Sequence, residues 1–146
     1  MIAKSSGDES AKMQEWHQVS SSYTGLGIDL VYIKDMEGLQ DGAVDCWLSE
    51  DEWKEIQEST LDGFNRITKL AGRFAAKEAV LKMLGAGLDQ IELTHIEIRS
   101  NALGKPIVRL RGTAWEAWLT SGWGELEISI THQREYAVAA ALGIRR

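Results

Sequence analysis

Thr68-Lys-Leu-Ala-Gly-Arg-Phe-Ala-Ala-Lys-Glu-Ala-Val-Leu-Lys-Met-Leu84 is a run of helix-forming residues, rich in alanine and leucine. At about 100° per residue, Leu70, Phe74, Leu81 and Leu84 gather on one face. Lys77 falls inside that arc, Glu78 lies at its edge and Arg73 stands on the other side. An ordinary amphipathic helix turns its charges outward, because an unpaired charge in the interior is costly. Two readings follow. Either the helix lines a wet, ion-filled cleft, or its charges form an Arg/Lys–Glu salt-bridge cluster on a tilted surface helix. The first would make this the functional helix of the chain.

Toward the N-terminus, Gly25-Leu-Gly-Ile-Asp-Leu-Val-Tyr-Ile33 is dense in strand formers and reads as a buried strand. A period of two puts Leu26, Ile28, Leu30 and Tyr32 on one face and Gly27, Asp29, Val31 and Ile33 on the other. Asp29 is therefore a carboxylate within an apolar strand, either a ligand or an aspartate satisfied by backbone N–H groups. Gly27, two positions earlier on the same face, leaves room for another element to approach.

The remaining chain fills in around these two segments. Ser49 with Glu52 forms a capping box for a helix from Glu50 to roughly Ser59, whose apolar side is Trp53 and Ile56. Asp62-Gly63 turns the chain into the central helix, which Gly85-Ala-Gly87 stops. Ile91 to Arg99 reads as a strand, Asn101 to Pro106 as a turn and Ile107 to Leu110 as the hairpin partner. Trp115, Trp118 and Leu119 mark a short helix packed on the core. Glu127 to His132 and Tyr136 to Leu142 form a second hairpin around Gln133-Arg134-Glu135. Strand, helices, hairpin, helix, hairpin is an α+β order, a single domain with a mostly antiparallel sheet and a long central helix.

A chain of 146 residues, 44% of them apolar, suits one core, expected over residues 23–146 behind a mobile leader at 1–22. In the leader, Met13, Trp16 and Val19 have the spacing of a helical turn. The net charge of -6 disfavours a general nucleic-acid binder, so any anion site must be local. No export signal and no apolar run long enough for a membrane span is read. The single cysteine, Cys46, excludes an intramolecular disulfide and a cysteine zinc site, reads as a small buried apolar residue and fits a cytoplasmic protein.

Asp29 and Glu78, without histidine or cysteine companions, would make a hard oxygen site suited to Mg²⁺, which keeps waters and takes its other ligands from substrate phosphates. Arg73, Lys77 and Lys82 share the helix with Glu78, and Lys105 sits in a glycine-containing turn whose N–H groups could also be free. Together they describe a pyrophosphate held by a metal and cations, as phosphoryl transfer requires. A paired-carboxylate glycosidase would not surround its acid with cations.

These residues also carry a resemblance. Gly25 to Ile33, Leu70-Ala-Gly-Arg-Phe-Ala-Ala-Lys-Glu-Ala79, Gly104-Lys-Pro106 and Ser129-Ile-Thr-His-Gln-Arg-Glu-Tyr-Ala-Val-Ala139 resemble, in order and spacing, the holo-acyl-carrier-protein synthase group of the 4′-phosphopantetheinyl transferase family, over about residues 24 to 143. The resemblance implies transfer of the phosphopantetheine arm of coenzyme A to a serine of an apo acyl carrier protein, in fatty acid synthesis or a specialised pathway. It implies Mg²⁺ held by Asp29 and Glu78, phosphate oxygens steadied by Lys77 and Lys82, and a nucleotide held by Arg73, Gly104, Lys105, Pro106 and His132. It further implies a homotrimer with its sites between neighbours. The proton acceptor for the carrier serine stays open, with water on the ion favoured because the ion lowers its pKa. A coenzyme A pyrophosphate hydrolase and an inactive carrier-binding scaffold are the alternatives. One departure stands out: where the family has an arginine six residues after the strand aspartate, this chain has Asp35, preceded by Lys34. The basic residues expected before the central helix are reduced to Arg66 and Lys69.

Overall fold

The computed structural model describes residues 24–39, 41–59 and 62–145. The leader, with Met13, Trp16 and Val19, lies outside the described residues. In chain order the elements are β1 (Thr24–Tyr32), α1 (Asp41–Val44), α2 (Glu50–Ser59), α3 (Gly63–Leu84), β2 (Ile96–Ser100), β3 (Pro106–Leu110), α4 (Gly112–Ser121), β4 (Trp123–Gln133) and β5 (Tyr136–Arg145). The order β1-β5-β4 makes an antiparallel three-stranded sheet, and β2 and β3 pair separately as a hairpin. The α+β reading of the sequence matches this architecture.

α3 lies along one face of the larger sheet, and small residues on both sides bring the two backbones close. Ala71, Ala75, Ala76 and Ala79 on the helix and Ala137, Ala139 and Ala141 on β5 are all buried. A methyl group at Gly27 would overlap the Ala79 carbonyl and the Met83 amide, so the glycine is what lets the helix lie against β1. Both ends of the helix follow their sequence signals. Asp62 accepts from the Asn65 amide at 2.8 Å, and Gly85 at φ 70° closes the other end, its N–H donating to the carbonyls of Leu81 and Lys82. The helix begins at Gly63, one turn and more before Thr68.

Four expectations need correction. β1 is buried on one face only: Gly27 and Val31 face α3, whereas Leu26, Ile28 and Leu30 are 63%, 53% and 60% exposed. The alternation was legible, but the described residues supply no layer over the second face. The strand predicted from Ile91 starts at Ile96, because residues 93–95 tighten into a 3₁₀ turn. Cys46 is exposed, with its thiol donating to the Ala43 carbonyl at 3.0 Å, so it is not a core residue. On α4 Ala114 is buried and Trp118 packs against the core as expected, but Trp115 and Leu119 are exposed.

Candidate functional site

The close approach of α3 to β1 brings Asp29 beside Glu78 and Lys82. Register pairs Asp29 with Ala139 and Ala139 with Ile130, which puts Asp29 on the helix-facing side of the sheet. Its Oδ1 accepts from Lys82 Nζ at 2.7 Å, and the same ammonium donates to the Ile28 carbonyl at 3.0 Å. Desolvation raises the Glu78 pKa above the ordinary glutamate range; the Asp29 charge adds to the rise and Lys82 opposes it. Two carboxylates so coupled repel each other, and Lys82 offsets part of that repulsion. Among the described residues no cluster of three or more His, Cys, Asp or Glu could hold a metal. The two-carboxylate donor set fits a hard cation that keeps waters and shares substrate oxygens, and does not fit a zinc cage.

A second group forms farther along α3. Arg73 and His132 line one small cavity of about 120 Å³ with Thr68, Lys69, Gly72, Ser100 and Ile130. A Cβ on Gly72 would come within 3.1 Å of Ile130 Cγ2, so the glycine sets how close β4 lies to the helix. Arg73 is buried. Its Nη2 donates to Glu55 Oε1 at 2.6 Å and to Ser100 Oγ at 3.3 Å, and its Nε has no hydrogen-bond partner among the described residues. Desolvation lowers its pKa, with the charge of Glu55 pulling the other way.

Lys77 does not belong with these groups. Its side chain is 0% exposed, and Nζ donates to Glu52 Oε2 at 2.8 Å, Leu93 O at 2.9 Å and Ile96 O. An ammonium has three donors, and all three are used. The expected phosphate contact is therefore corrected to an interior ion pair, the salt-bridge alternative of the sequence analysis realised in the core instead of on the surface. Burial lowers the Lys77 pKa, and the Glu52 charge works against that fall.

The Gly104-Lys105-Pro106 turn is organised by Asn101. Its Oδ1 accepts from the amides of Leu103 at 3.0 Å and Lys105 at 2.9 Å, and its carbonyl from Gly104 at 2.9 Å. The turn amides expected to be free are thus used internally. Gly104, at φ 81°, fits the left-handed conformation that the turn needs, and Pro106 starts β3. Lys105 Nζ pairs with Glu127 of β4 at 2.8 Å, and none of these three residues lines the Arg73 cavity.

Sequence reasoning missed Glu55 and Ser100 altogether and saw Glu52 only as a cap. The available signal was Lys77 itself: a lysine on an apolar stripe demands a buried counter-charge, and Glu52 flanked by Trp53 and Ile56 was placed to supply it.

The family model of the ACPS group, 4′-phosphopantetheinyl transferase superfamily, matches residues 25–141. A holo-[acyl-carrier-protein] synthase of Halothermothrix orenii is 36% identical over 119 residues, 82% of this chain and 95% of that protein. The holo-[acyl-carrier-protein] synthase of Treponema denticola is 38% identical over 119 residues, 81% of this chain and 95% of its own length. Among solved structures, a holo-(acyl-carrier-protein) synthase from Bacillus anthracis in complex with CoA (3′,5′-ADP) is similar, with a TM-score of 0.71 and 29% identity, over 86% of this chain and 100% of that one.

Proposed function

The chain belongs to the 4′-phosphopantetheinyl transferase superfamily, and we propose that it transfers the 4′-phosphopantetheine arm of coenzyme A to a serine of an apo acyl carrier protein. The serine oxygen bonds to the phosphorus of the arm and gives up its proton. The bond from that phosphorus to the bridging pyrophosphate oxygen breaks, and adenosine 3′,5′-bisphosphate leaves with the bridging oxygen. The observation that carries this reading is the paired Asp29 and Glu78 beside Lys82, where helix and strand touch.

Asp29 and Glu78 would hold Mg²⁺, which when bound supplies charge neutralisation for the pyrophosphate. Lys82 is half-exposed, so its ammonium can turn from Asp29 to a phosphate oxygen once the carboxylates have another cation to face. Arg73 and His132, which line one cavity, would hold the nucleotide end. Gly104, Lys105 and Pro106 would contribute at the same end, from this chain or from a neighbour.

We take the assembly to be a homotrimer, in which the uncovered sheet face around Leu26, Ile28, Leu30 and Leu142 is buried between copies. Among the described residues no helix is long and apolar enough to cross a membrane. To test the reaction, coenzyme A and Mg²⁺ are incubated with the protein, with and without apo acyl carrier protein. Adenosine 3′,5′-bisphosphate should be released only with the carrier. Release at the same rate without carrier would make the protein a hydrolase.

A further inference from the structure

Two carboxylates of α2 tie the central helix to β2 in a pair of parallel rungs. In the first, Glu52 Oε2 accepts from Lys77 Nζ at 2.8 Å and from the Ser49 amide at 2.8 Å, while Oε1 accepts from the Ile98 amide at 2.8 Å. In the second, Glu55 Oε1 accepts from Arg73 Nη2 at 2.6 Å and from the Ser100 amide at 3.0 Å, while Oε2 accepts from Arg99 Nε at 2.6 Å. The spacing is what three elements side by side demand: three residues along α2, four along α3 and two along β2.

The first rung is wholly buried, with Glu52 and Lys77 both at 0% exposure. For stability alone such a pair gains little over apolar residues of similar size, since desolvating both charges consumes most of their attraction. Its distinctive property is direction. Three acceptors on one ammonium fix where Lys77 points, and Glu78 is the next residue, about 100° round the helix.

We propose that Glu52 is a positioning residue for the transfer site: by fixing Lys77 it sets the rotation of α3 at which Glu78 faces Asp29 while Arg73 faces the His132 cavity. Glu52 touches no substrate in this scheme and acts only through the helix. The inference rests on the phosphopantetheinyl transferase reading of the site, which the unaltered protein tests first by binding adenosine 3′,5′-bisphosphate and transferring the arm.

The test is the double substitution Glu52→Gln with Lys77→Met, which removes both charges while leaving an acceptor for the Ile98 amide and an unbranched chain in the helix. Calorimetric binding of adenosine 3′,5′-bisphosphate, the Mg²⁺ requirement of transfer, kcat, the carrier KM and the unfolding temperature are measured together. The double variant should unfold cooperatively within a few degrees of the unaltered protein. Its nucleotide Kd and Mg²⁺ requirement should nevertheless each rise about tenfold or more, and kcat should fall with the carrier KM unchanged. A stably folded double variant with unaltered nucleotide binding and Mg²⁺ requirement overturns the proposal. Should the double variant not fold, Glu52→Asp decides on the same readouts, since it keeps the charge and withdraws it by one methylene. An unaltered protein that neither binds nucleotide nor transfers would instead overturn the functional reading.

Discussion

Gly27 governs how near Asp29 comes to Glu78, because it is the position where the strand backbone meets that of α3. Gly27→Ala should destabilise the fold by about 1–3 kcal/mol, as overpacking does, and lower activity further by pushing β1 from the helix. Denaturant unfolding and transfer rates check this; an alanine variant of full stability and activity would mean the contact is not tight. The faces that carry Asp29 and Glu78 follow from local pattern: a period of two sets Asp29 on the side of Gly27 and Val31, and a turn of about 100° per residue sets Glu78 at the edge of the apolar arc. The setting of Lys77 does not follow from local pattern. A helical wheel places it inward, but whether it meets water or a counter-charge depends on Glu52, on another helix. Cys46 was misread because burial was inferred from residue type alone, with no periodic pattern behind it.

Among the elements, those with strong local signals were read closely. The capping box opens α2 as expected, with Glu52 Oε2 accepting from the Ser49 amide at 2.8 Å and Ser49 Oγ accepting from the Glu52 amide at 3.2 Å. The segment before β2 was less legible, since its alternating residues fit a strand and the 3₁₀ turn is stabilised by the Arg111 amide bonding the His95 carbonyl across the chain. Contacts between elements also carry a pH signature. Burial raises the Glu55 pKa, but bonds from Arg99, the Arg73 charge and the Ser100 contacts outweigh it and hold the carboxyl below its ordinary 4.5. A depressed folded pKa means stabilisation complete above the unfolded value and lost as pH falls through the folded one. Glu55→Gln should therefore lower the unfolding temperature at neutral pH and flatten its decline below about pH 4.5. An equal effect of the substitution at pH 7 and at pH 3 would contradict that assignment.

For the whole molecule, the sheet face left open by the described residues and the exposed acidic charge at Asp35 are the deciding features. The face was half legible: its alternation is in the sequence, but what covers it lies beyond the described residues, and the pattern of one strand does not report that. If the proposed homotrimer buries this face, Ile28→Glu, which puts a charge there away from α3, should leave monomers with loss of activity, as light scattering and transfer assays would report. A stable, fully active monomer would show that the face is not an interface. Asp35 is exposed on the 3₁₀ turn after β1, beside a Lys34–Glu135 pair at 3.8 Å. An acidic carrier would be repelled there, most strongly at low salt. Asp35→Arg should raise kcat/KM for such a carrier mainly through the carrier KM and leave the KM for coenzyme A unmoved; no response would place the carrier elsewhere. The central claim, transfer at the Asp29–Glu78 pair, is tested most directly by intact-mass spectrometry of an apo acyl carrier protein after incubation with coenzyme A, Mg²⁺ and this protein. The carrier should gain the mass of one phosphopantetheine on its serine, and a folded Glu78→Ala variant should leave it unmodified. An unmodified carrier with the unaltered protein, or full modification by Glu78→Ala, would contradict the claim.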